Sequence, residues 1–443
     1  MYQIGEILKI IREENAYQLT TVQERTGIDY SQLSRIENGK RLPTTEHIEK
    51  LSLLYGVDKS VLMAHRDSDK ILSSIESSDV AKQAIEIARE KLVLGERYLS
   101  HVKDDIIPQR IQISSRRYIG SKAKLIDWIF DTISNNVSDA KSFCDIFAGT
   151  GVVAATAFEH FQTIIVNDLL YSNNVIYKAF FGSGHWDQPK LNHIIDEYNA
   201  LDPTKIQDNY FSENYGNKYF ELSEARKIGY IRQHIEDNKE SLSDKEYSIL
   251  LASLIYSMDK IANTIGHYEA YIKKSIPHRP LVMKLVDVHS FDNVQIFRED
   301  ANKLARRIDC DVVYIDPPYN SRQYSRFYHV YETLVKWDKP ALFGVAMKPT
   351  PENMSAYCSN KAANAMRDLV TSLKSKYVVV SYNNTYNSKS SSSENKITIE
   401  ELTDILQSVG DTRIFEHKHK AFNAGKTDFK DHKEFLFITK KHE

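Results

Sequence analysis

The segment that most constrains the fold is an apolar run that ends in two consecutive prolines. Residues 312–315 have the β-branched and aromatic composition of a buried strand, and Asp316-Pro317-Pro318-Tyr319 follows directly. Proline has no N–H to donate to a sheet ladder and cannot continue a helix, so the strand ends here and a rigid loop begins. The loop therefore places an acid and an aromatic ring at the sheet edge where open α/β folds bind ligands.

A second apolar run leads into a turn of the kind that lets a backbone approach a ligand. Residues 142–147 predict a strand, which continues into Ala148-Gly149-Thr150-Gly151 and a helix rich in alanine and valine. Residues 164–167 predict another strand, and Asp168 stands at its carboxyl end, where such folds hold a ribose. Apolar runs that alternate with helices predict a parallel sheet covered on both faces. The region after Pro108 is therefore predicted to be an α/β domain that binds a nucleoside-type cofactor.

Residues 1–65 have a different pattern, that of short helices joined by tight turns. Apolar residues recur at helical spacing before the turn at Thr26-Gly27-Ile28, and a third helix is predicted from about Asp29 to Glu37. Two helices joined by a glycine-containing turn can lay the second helix in the major groove of DNA. Residues 66–109 are polar and favour helix, which predicts a semi-rigid helical connector.

Composition and charge exclude several classes of protein. The chain has 443 residues, of which 42% are hydrophobic and 27% charged, so it forms more than one folded domain and is not disordered throughout. No apolar run is long enough to cross a bilayer, so we expect a cytoplasmic protein with no membrane partner. The three cysteines form no Cys-x-x-Cys pair, so we expect neither a disulfide framework nor a metal site. The net charge of −2 does not by itself predict a nucleic-acid partner.

The stretch from Asp29 to Lys40, with its Leu-Ser-Arg-Ile-Glu-Asn-Gly core, resembles the recognition helix of the Cro-like, phage-repressor family of helix-turn-helix domains. The resemblance covers residues 1–65 and implies that this all-α domain binds double-stranded DNA. It places Leu33 and Ile36 in the core. A helical module kept for protein contacts is the alternative, because the segment is near neutral in charge. The residues implied to meet base edges or phosphates are Tyr30, Ser31, Gln32, Ser34, Arg35, Asn38 and Lys40.

At Asp316-Pro317-Pro318-Tyr319 the chain resembles the adenine-specific DNA methyltransferases that carry this motif, and the resemblance covers residues 110–443. It implies a Rossmann-like, S-adenosylmethionine-dependent methyltransferase domain, with S-adenosyl-L-methionine as cofactor. Asp316, Pro317, Pro318 and Tyr319 are the implied catalytic residues. The implied cofactor-binding residues lie in an N-terminal segment, the glycine turn and two strand-end acids: Tyr118, Gly120, Lys122, Asp145, Phe147, Ala148, Gly149, Thr150, Gly151, Asp168 and Asp300.

The segment between the glycine turn and the proline loop resembles the family's target-recognition segment, which predicts a mainly helical insert at residues 171–290. Its rings and cations form the mixture that nucleic-acid surfaces use, and we expect Lys273 and Lys274 to contact DNA. Just past the loop, Arg322, Gln323 and Tyr324 are predicted to close over a flipped base or to hold the opened strand. The rings and other cations of the insert are Tyr210, Phe211, Tyr215, Tyr219, Phe220, Tyr268, Tyr271, Arg226, Arg232 and Lys260.

The mechanism that this resemblance implies begins with base flipping, because a methyl donor cannot reach an adenine amine inside a duplex. Tyr319 would stack on the extruded adenine. The Asp316 carboxylate and the Pro317 carbonyl would accept the two amine hydrogens, which turns the nitrogen lone pair toward the methyl group.

Three functions remain open on the sequence. The first is a restriction-modification adenine methyltransferase whose helix-turn-helix domain regulates its own system or adds grip on the target. The second is a transcription regulator with a non-catalytic methyltransferase fold, and the third is a methyltransferase acting on cytosine amine, RNA or protein. The intact motifs favour the first, and Asp rather than Ser or Asn before Pro317 favours adenine. A cognate restriction endonuclease and a homodimer through residues 1–107 are open as partners.

Overall fold

The computed structural model describes residues 3–73, 111–273, 276, 278–384, 395–418 and 433–442. The chain divides into two units, 1–109 and 110–443, each with its own hydrophobic core. The predicted contact Lys274, the larger part of the predicted connector at 66–109 and the serine-rich segment 388–393 lie outside the described residues. No helix in the described part of the chain is long and apolar enough to cross a membrane.

The first unit is a bundle of short helices. Their bounds are α1 Ile4–Glu14, α2 Leu19–Thr26, α3 Tyr30–Glu37, α4 Thr45–Tyr55 and α5 Lys59–Ser73. Gly27, with φ of +69°, ends α2 in the left-handed conformation that glycine adopts without strain. Helix α5 continues past residue 65, the predicted end of this domain, and its Asp69 carboxylate accepts a hydrogen bond from the backbone N–H of Ile4 at 2.6 Å.

Helix α3 starts and packs as the sequence predicts. The Asp29 carboxylate accepts a hydrogen bond from the backbone N–H of Ser31, which satisfies one free amide of the first turn. Leu33 and Ile36 are buried in the core of the unit, so their predicted core positions are confirmed. The opposite side of α3 is left to solvent.

The second unit is built on one sheet, in which the described strands have the order β3-β2-β1-β4-β5-β7-β6. Strands β1 to β5 are parallel to one another, and β7 runs antiparallel to both β5 and β6. The predicted α/β fold is confirmed, although β1 ends two residues earlier than predicted. The strands are β1 Ser142–Asp145, β2 Thr163–Asn167, β3 Val294–Phe297, β4 Val312–Ile315, β5 Tyr377–Asn383, β6 Gly410–Lys418 and β7 Lys433–Lys441.

Helices cover both faces of this sheet because successive strand residues point to opposite sides. In β4, Val312 and Tyr314 pack into one apolar core, whereas Val313 and Ile315 pack into the other. The helices outside the predicted insert are α6 Ile126–Asn136, α7 Val152–Ala157, α13 Ala301–Ala305, α14 Tyr324–Phe327, α15 His329–Lys336, α16 Ala362–Ser372 and α17 Ile399–Gln407.

The predicted insert is mainly helical, and its helices form part of the larger core of the unit. Its helices are α8 Tyr171–Phe180, α9 Gln188–Ala200, α10 Tyr210–Tyr215, α11 Leu222–Asp237 and α12 Asp244–Ile261. The buried Arg232 guanidinium donates to the backbone carbonyls of Leu334 and Val335 in and beside α15, at 2.6 and 3.1 Å. The insert is therefore anchored to the helix that follows the proline loop.

The prediction that the insert's rings form a nucleic-acid surface is wrong for most of them. Five are buried and pack against one another and against His329, because large rings exclude water best in contact with other apolar groups. Two of the cations are also engaged, Arg232 as described above and Arg226 in an ion pair with Asp208 at 2.9 Å. Lys260 and Lys273 are exposed. The buried rings are Phe211, Tyr215, Tyr219, Phe220 and Tyr268.

Candidate active site

Three carboxylates meet where the central parallel strands end. Asp145 is the last residue of β1, while Asp168 and Asp316 follow directly after β2 and β4, the neighbours of β1 in the sheet. Parallel strands bring their carboxyl ends to one edge, which is why side chains far apart in the sequence lie together. Burial raises the pKa of Asp145, and the charges of Asp316 and Asp168 raise it further. This edge is a concentrated negative site.

The glycine turn is shaped by its two glycines. Gly149 and Gly151 have φ of +52° and +81°, and a Cβ on Gly151 would lie 2.8 Å from Ile113 and 3.0 Å from Tyr177. A side chain at Gly149 would meet the Tyr118 ring at 3.3 Å. The turn is therefore packed so closely that glycine, which has no side chain, is needed at both positions.

Asp168 holds this turn to the end of the next strand. One carboxylate oxygen accepts from the Gly149 N–H at 3.0 Å, and the other from the Leu170 N–H at 2.8 Å. Burial raises the pKa of Asp168, and these two backbone hydrogen bonds lower it in part. The predicted ribose-binding acid thus has a structural role at the glycine turn as well.

The segment around Tyr118 is strapped to the helices that follow the proline loop. The backbone N–H of Ile119 donates to the Tyr328 hydroxyl at 2.8 Å, and its carbonyl accepts from the Tyr324 hydroxyl at 3.0 Å. The Tyr118 ring stacks on Tyr328 with a centroid distance of 4.6 Å. Gly120, at φ +80°, leaves the space that the Tyr324 hydroxyl fills. The predicted cofactor segment is therefore held by hydrogen bonds and ring stacking to the residues that follow the predicted catalytic loop.

The proline loop carries a buried network of charges. The Lys122 ammonium lies 3.2 Å from the Asp316 carboxylate and 3.5 Å from that of Glu434 in β7, and it donates to the Tyr319 hydroxyl at 2.7 Å. The Tyr319 hydroxyl in turn donates to Asp316. The Tyr319 ring packs edge-on against Tyr382 of β5, with centroids 4.6 Å apart. The side chains of Asp316, Tyr319 and Lys122 thus form one hydrogen-bonded network.

The titration of this network is set by burial and by the single ammonium. Burial raises the pKa of Asp316, and the charge of Lys122 opposes that rise. Burial alone would lower the pKa of Lys122, but Asp316 and Glu434 raise it above its usual range. Lys122 therefore stays protonated and favours the ionised form of Asp316.

Asp145 is the acid of the three whose ionised form is least stabilised by its surroundings. It is almost fully buried, and neither carboxylate oxygen has a hydrogen-bond partner among the described residues. Burial, and then the charges of Asp316 and Asp168, raise its pKa well above the usual value. A buried carboxylate without a partner is costly, and a cationic ligand would offset that cost. The site therefore fits a cofactor that carries positive charge.

The remaining predicted cofactor residues lie on the other side of the turn. The Phe147 ring meets Tyr357 edge-on at 5.0 Å, and the charge of Asp300 acts on that same Tyr357. An Asp300 oxygen accepts from the Lys303 N–H at 3.1 Å and so caps α13. Ala148 and Thr150 are buried within the glycine turn.

The three residues predicted to cover a flipped base all make contacts within the protein. The Gln323 side chain binds the backbone of Ser355 at both ends, donating to its carbonyl at 2.9 Å and accepting from its N–H at 2.8 Å. The Tyr324 hydroxyl donates to Ile119, as described above. Arg322 is half-buried at the end of the loop.

The predicted DNA-contacting residues of the first unit lie largely on its surface. Tyr30, Ser31, Arg35, Asn38 and Lys40 are exposed. The Asn38 amide donates to the Ser34 carbonyl at 2.7 Å and so helps to end α3. Gln32 and Ser34 are half-buried.

Sequence reasoning did not assign a role to two residues of the site. The register of β7 on β5, in which Glu434 lies opposite Asn383, brings the Glu434 carboxylate to Lys122. The buried Asn167 amide donates to the carbonyls of Ile146 and Glu299 at 3.0 and 3.1 Å and thus joins the ends of three strands. The only sequence signal for Asn167 was its place immediately before Asp168.

Comparison with known proteins agrees with this geometry. The family model of the D12 class N6 adenine-specific DNA methyltransferases matches residues 118–405, and a helix-turn-helix model matches residues 8–62. The modification methylase StsI of Streptococcus sanguinis is 34% identical over 311 residues, which are 66% of this chain and 46% of that protein. The type II methyltransferase M.NlaIII of Neisseria lactamica is 30% identical over 343 residues, 73% of this chain and 99% of that protein.

A third relative is a viral protein. The type II methyltransferase M.CviAII of Paramecium bursaria Chlorella virus 1 is 33% identical over 321 residues, 69% of this chain and 92% of that protein. The chain thus spans about half the length of StsI and nearly all of the other two relatives. Because the family model covers well over half of the chain and includes the glycine turn and the proline loop, this chain belongs to the D12 class of N6 adenine-specific DNA methyltransferases and carries an N-terminal helix-turn-helix domain.

Proposed function

We propose that the protein transfers a methyl group from S-adenosyl-L-methionine to the exocyclic amine of an adenine flipped out of double-stranded DNA. The observation that carries the proposal is the pairing of two features at one sheet edge. One is the Asp316–Tyr319–Lys122 network in the proline loop, and the other is the buried Asp145 beside the glycine turn.

The residues around the glycine turn fit the proposed cofactor. Asp145 offers a buried negative charge to a cation, Asp168 offers an acceptor for a ribose, and the rings of Tyr118 and Phe147 offer apolar surfaces. The charge of Asp300 acts on Tyr357, which contacts Phe147, and Asp300 would read the adenine ring of the cofactor. When bound, S-adenosyl-L-methionine supplies a methyl group made electrophilic by its positively charged sulfur.

The proline loop would hold the target base. An ionised Asp316 and the Pro317 carbonyl accept the two amine hydrogens, which directs the nitrogen lone pair away from the ring. The Tyr319 ring provides the stacking surface for the base. Lys122 keeps Asp316 ionised in a buried site where it would otherwise bind a proton. Most of the acceleration comes from this alignment of the reacting atoms.

The names of the relatives suggest the biological context. They are called modification methylases and type II methyltransferases, so we infer that this protein protects a short DNA sequence, with a restriction endonuclease of the same specificity as partner. The cytoplasmic location expected from the sequence stays a prediction. The exposed residues of α3 support operator binding by the first unit, which would regulate expression of the methyltransferase itself.

Base-resolved sequencing of plasmid DNA tests the proposal. DNA is taken from cells that produce the wild-type protein, Asp316→Asn or Asp309→Asn. Asp309 is an exposed acid seven residues before Asp316, so its replacement controls for loss of a nearby charge. We expect N6-methyladenine within one short motif for the wild type and the Asp309→Asn control. The Asp316→Asn protein should lower the modified fraction by at least about a hundredfold, since it loses the charged acceptor.

Two results would contradict the proposal. Normal adenine methylation by Asp316→Asn would remove the proline loop from the mechanism. Absence of methyladenine in the wild-type sample, together with binding of the purified protein to its own promoter, would favour the regulator instead.

A further inference from the structure

Several large apolar side chains of the second unit are exposed in three short segments that lie close together. Ile265 is 55% exposed, Phe343 61%, Val345 74% and Met354 50%. We call these four residues the apolar rim. Exposed apolar groups are common when scattered singly, but a group of them in neighbouring loops is typical of a contact surface.

Buried polar atoms hold these segments in place. The buried Tyr219 hydroxyl contacts the Tyr268 carbonyl at 2.7 Å and the Ala346 carbonyl at 3.1 Å, so one side chain joins the loops of Ile265 and Val345. An ion pair between Lys348 and Glu269 joins the same two loops. Phe343 and Lys348 exchange backbone hydrogen bonds of 2.8 and 2.9 Å, which close a tight hairpin around Gly344. The rim is thus displayed by a fixed backbone.

All three segments attach to the helices directly after the proline loop. The Tyr268 N–H donates to the Phe327 carbonyl of α14 at 2.8 Å, and Arg326 of the same helix donates to the Pro349 carbonyl. The Ser325 hydroxyl lies 3.8 Å from the Met354 sulfur. Only a few residues of chain separate α14 from Tyr319, so the rim stands beside the proposed base-binding loop.

Basic groups lie near the residues of the rim. Burial lowers the pKa of His267, whose ring packs on Phe327 at 4.7 Å, and the charges of Arg322 and Lys348 lower it further against the opposing charge of Glu269. Arg322, Lys348 and His267 are therefore near one another. An apolar ridge next to cations is the chemistry that inserts between base steps while phosphates are held.

We propose that the apolar rim is a wedge that enters duplex DNA beside the target adenine and occupies the space the base leaves. This inference rests on the proposed function and deepens it, because it names the surface that opens the duplex. It also places DNA contacts outside the predicted recognition insert, since three of the four rim residues follow the proline loop. The occupant is double-stranded DNA at a base step that must unstack.

The test compares the wild-type protein with the double variant Phe343→Ser and Val345→Ser. Ile414→Ser is the matched control, because Ile414 is an exposed apolar residue on β6 at the opposite edge of the sheet from β3. Once sequencing has identified the motif, each full-length protein is mixed with a duplex that carries 2-aminopurine at the target position. Its fluorescence rises when the base leaves the stack. Methylation rates are measured on the natural duplex and on one with an abasic site opposite the target.

The double variant should show a fluorescence rise on the 2-aminopurine duplex, and a kcat/KM on the natural duplex, that are each lower by about tenfold or more. The reason is that it lacks the apolar side chains that offset the cost of unstacking a base step. On the duplex with the abasic site, the methylation rate of the double variant should be within about twofold of the wild-type rate, because the target base there is already unpaired. The Ile414→Ser control should match the wild type in the fluorescence rise and in the methylation rates on both duplexes. Cofactor binding and melting temperature report on folding, and Val345→Ser alone repeats the test if the double variant melts early.

The outcomes separate this inference from the proposed function. A double variant that flips and methylates the natural duplex as well as the wild type overturns the wedge and leaves the methyltransferase intact. The same result with a wild-type dimer that dissociates in the double variant would assign the rim to a second copy of the chain. A wild type that methylates no DNA overturns both proposals.

Discussion

At the scale of single residues, the site depends on one buried ammonium placed among acids. Lys122 lies 3.2 Å from the Asp316 carboxylate and 3.5 Å from that of Glu434, and it donates to the Tyr319 hydroxyl at 2.7 Å. An opposite charge this close favours the ionised form of a carboxyl and so lowers its pKa. The protonation of Asp316 is therefore controlled by a residue almost two hundred positions away in the sequence.

Replacing Lys122 with methionine should move the acid limb of activity to higher pH. The folded-state pKa of Asp316 is already raised by burial, and loss of the ammonium raises it further, so a larger share of the enzyme is protonated and inactive near neutrality. We expect kcat of Lys122→Met to fall as the pH is lowered through neutrality, over a range where the kcat of the wild type is flat. Lys124→Met, which removes an exposed charge two residues away, should keep the wild-type profile. Identical profiles for Lys122→Met and the wild type would separate Lys122 from the titration.

At the scale of secondary-structure elements, Asp311 ties the beginnings of three strands together. Its carboxylate accepts from the backbone N–H groups of Lys141 and Ser142 at 2.8 and 3.1 Å, and it pairs with Lys376 at 2.8 Å. Although burial opposes it, the net effect of these contacts lowers the pKa of Asp311 to about 2. The contacts lie at the ends of β1, β4 and β5 opposite to the site, where they set the register that brings the acids together.

Asp311→Asn should lower the free energy of unfolding at pH 7 by about 1–2 kcal/mol, allowing for solvent screening of a group near the surface. Because the folded-state pKa lies below the ordinary value, this contribution is present above about pH 4 and is lost as the pH falls toward 2. Urea melts at pH 7, 5 and 3 check this: the gap between wild type and variant should narrow with acid. Asp292→Asn, at an exposed loop acid, is the control. A gap that stays constant would assign the effect to packing.

At the scale of the whole molecule, the two units have separate cores and separate family matches. Every residue of the candidate active site lies in the unit 110–443, and the exposed positions of α3 lie in the unit 1–109. Interactions within one unit are expected to be independent of substitutions in the other.

The double variant Gln32→Ala and Arg35→Ala should therefore separate two activities. We expect binding to the protein's own promoter to weaken by at least about tenfold, because each base contact contributes ~1–3 kcal/mol. Methylation of the recognition motif should stay within about twofold of the wild type. Gel retardation measures promoter binding, and methylation assays measure the rate on the recognition motif. Equal loss of both would mean that the first unit takes part in target binding.

Much of this protein could be predicted from local sequence because local physics decides it. Two prolines end β4 after Ile315 in any context, glycines are needed at positive φ in the turn at 149–151, and Asp29 caps α3 through its own neighbours. The family resemblance rested on those same short segments, and the family match confirmed it.

What only the tertiary structure decided are the contacts between distant segments. The aromatic residues of the insert looked like a nucleic-acid surface, but five of them form core, because burial depends on which faces of the helices meet and not on composition. Glu434 reaches Lys122 through strand register, and Tyr219 and Lys348 join two of the three segments that form the apolar rim. The sequence by itself determined the local elements and the chemistry at the strand ends, whereas long-range packing determined which charges are compensated and which apolar groups face solvent.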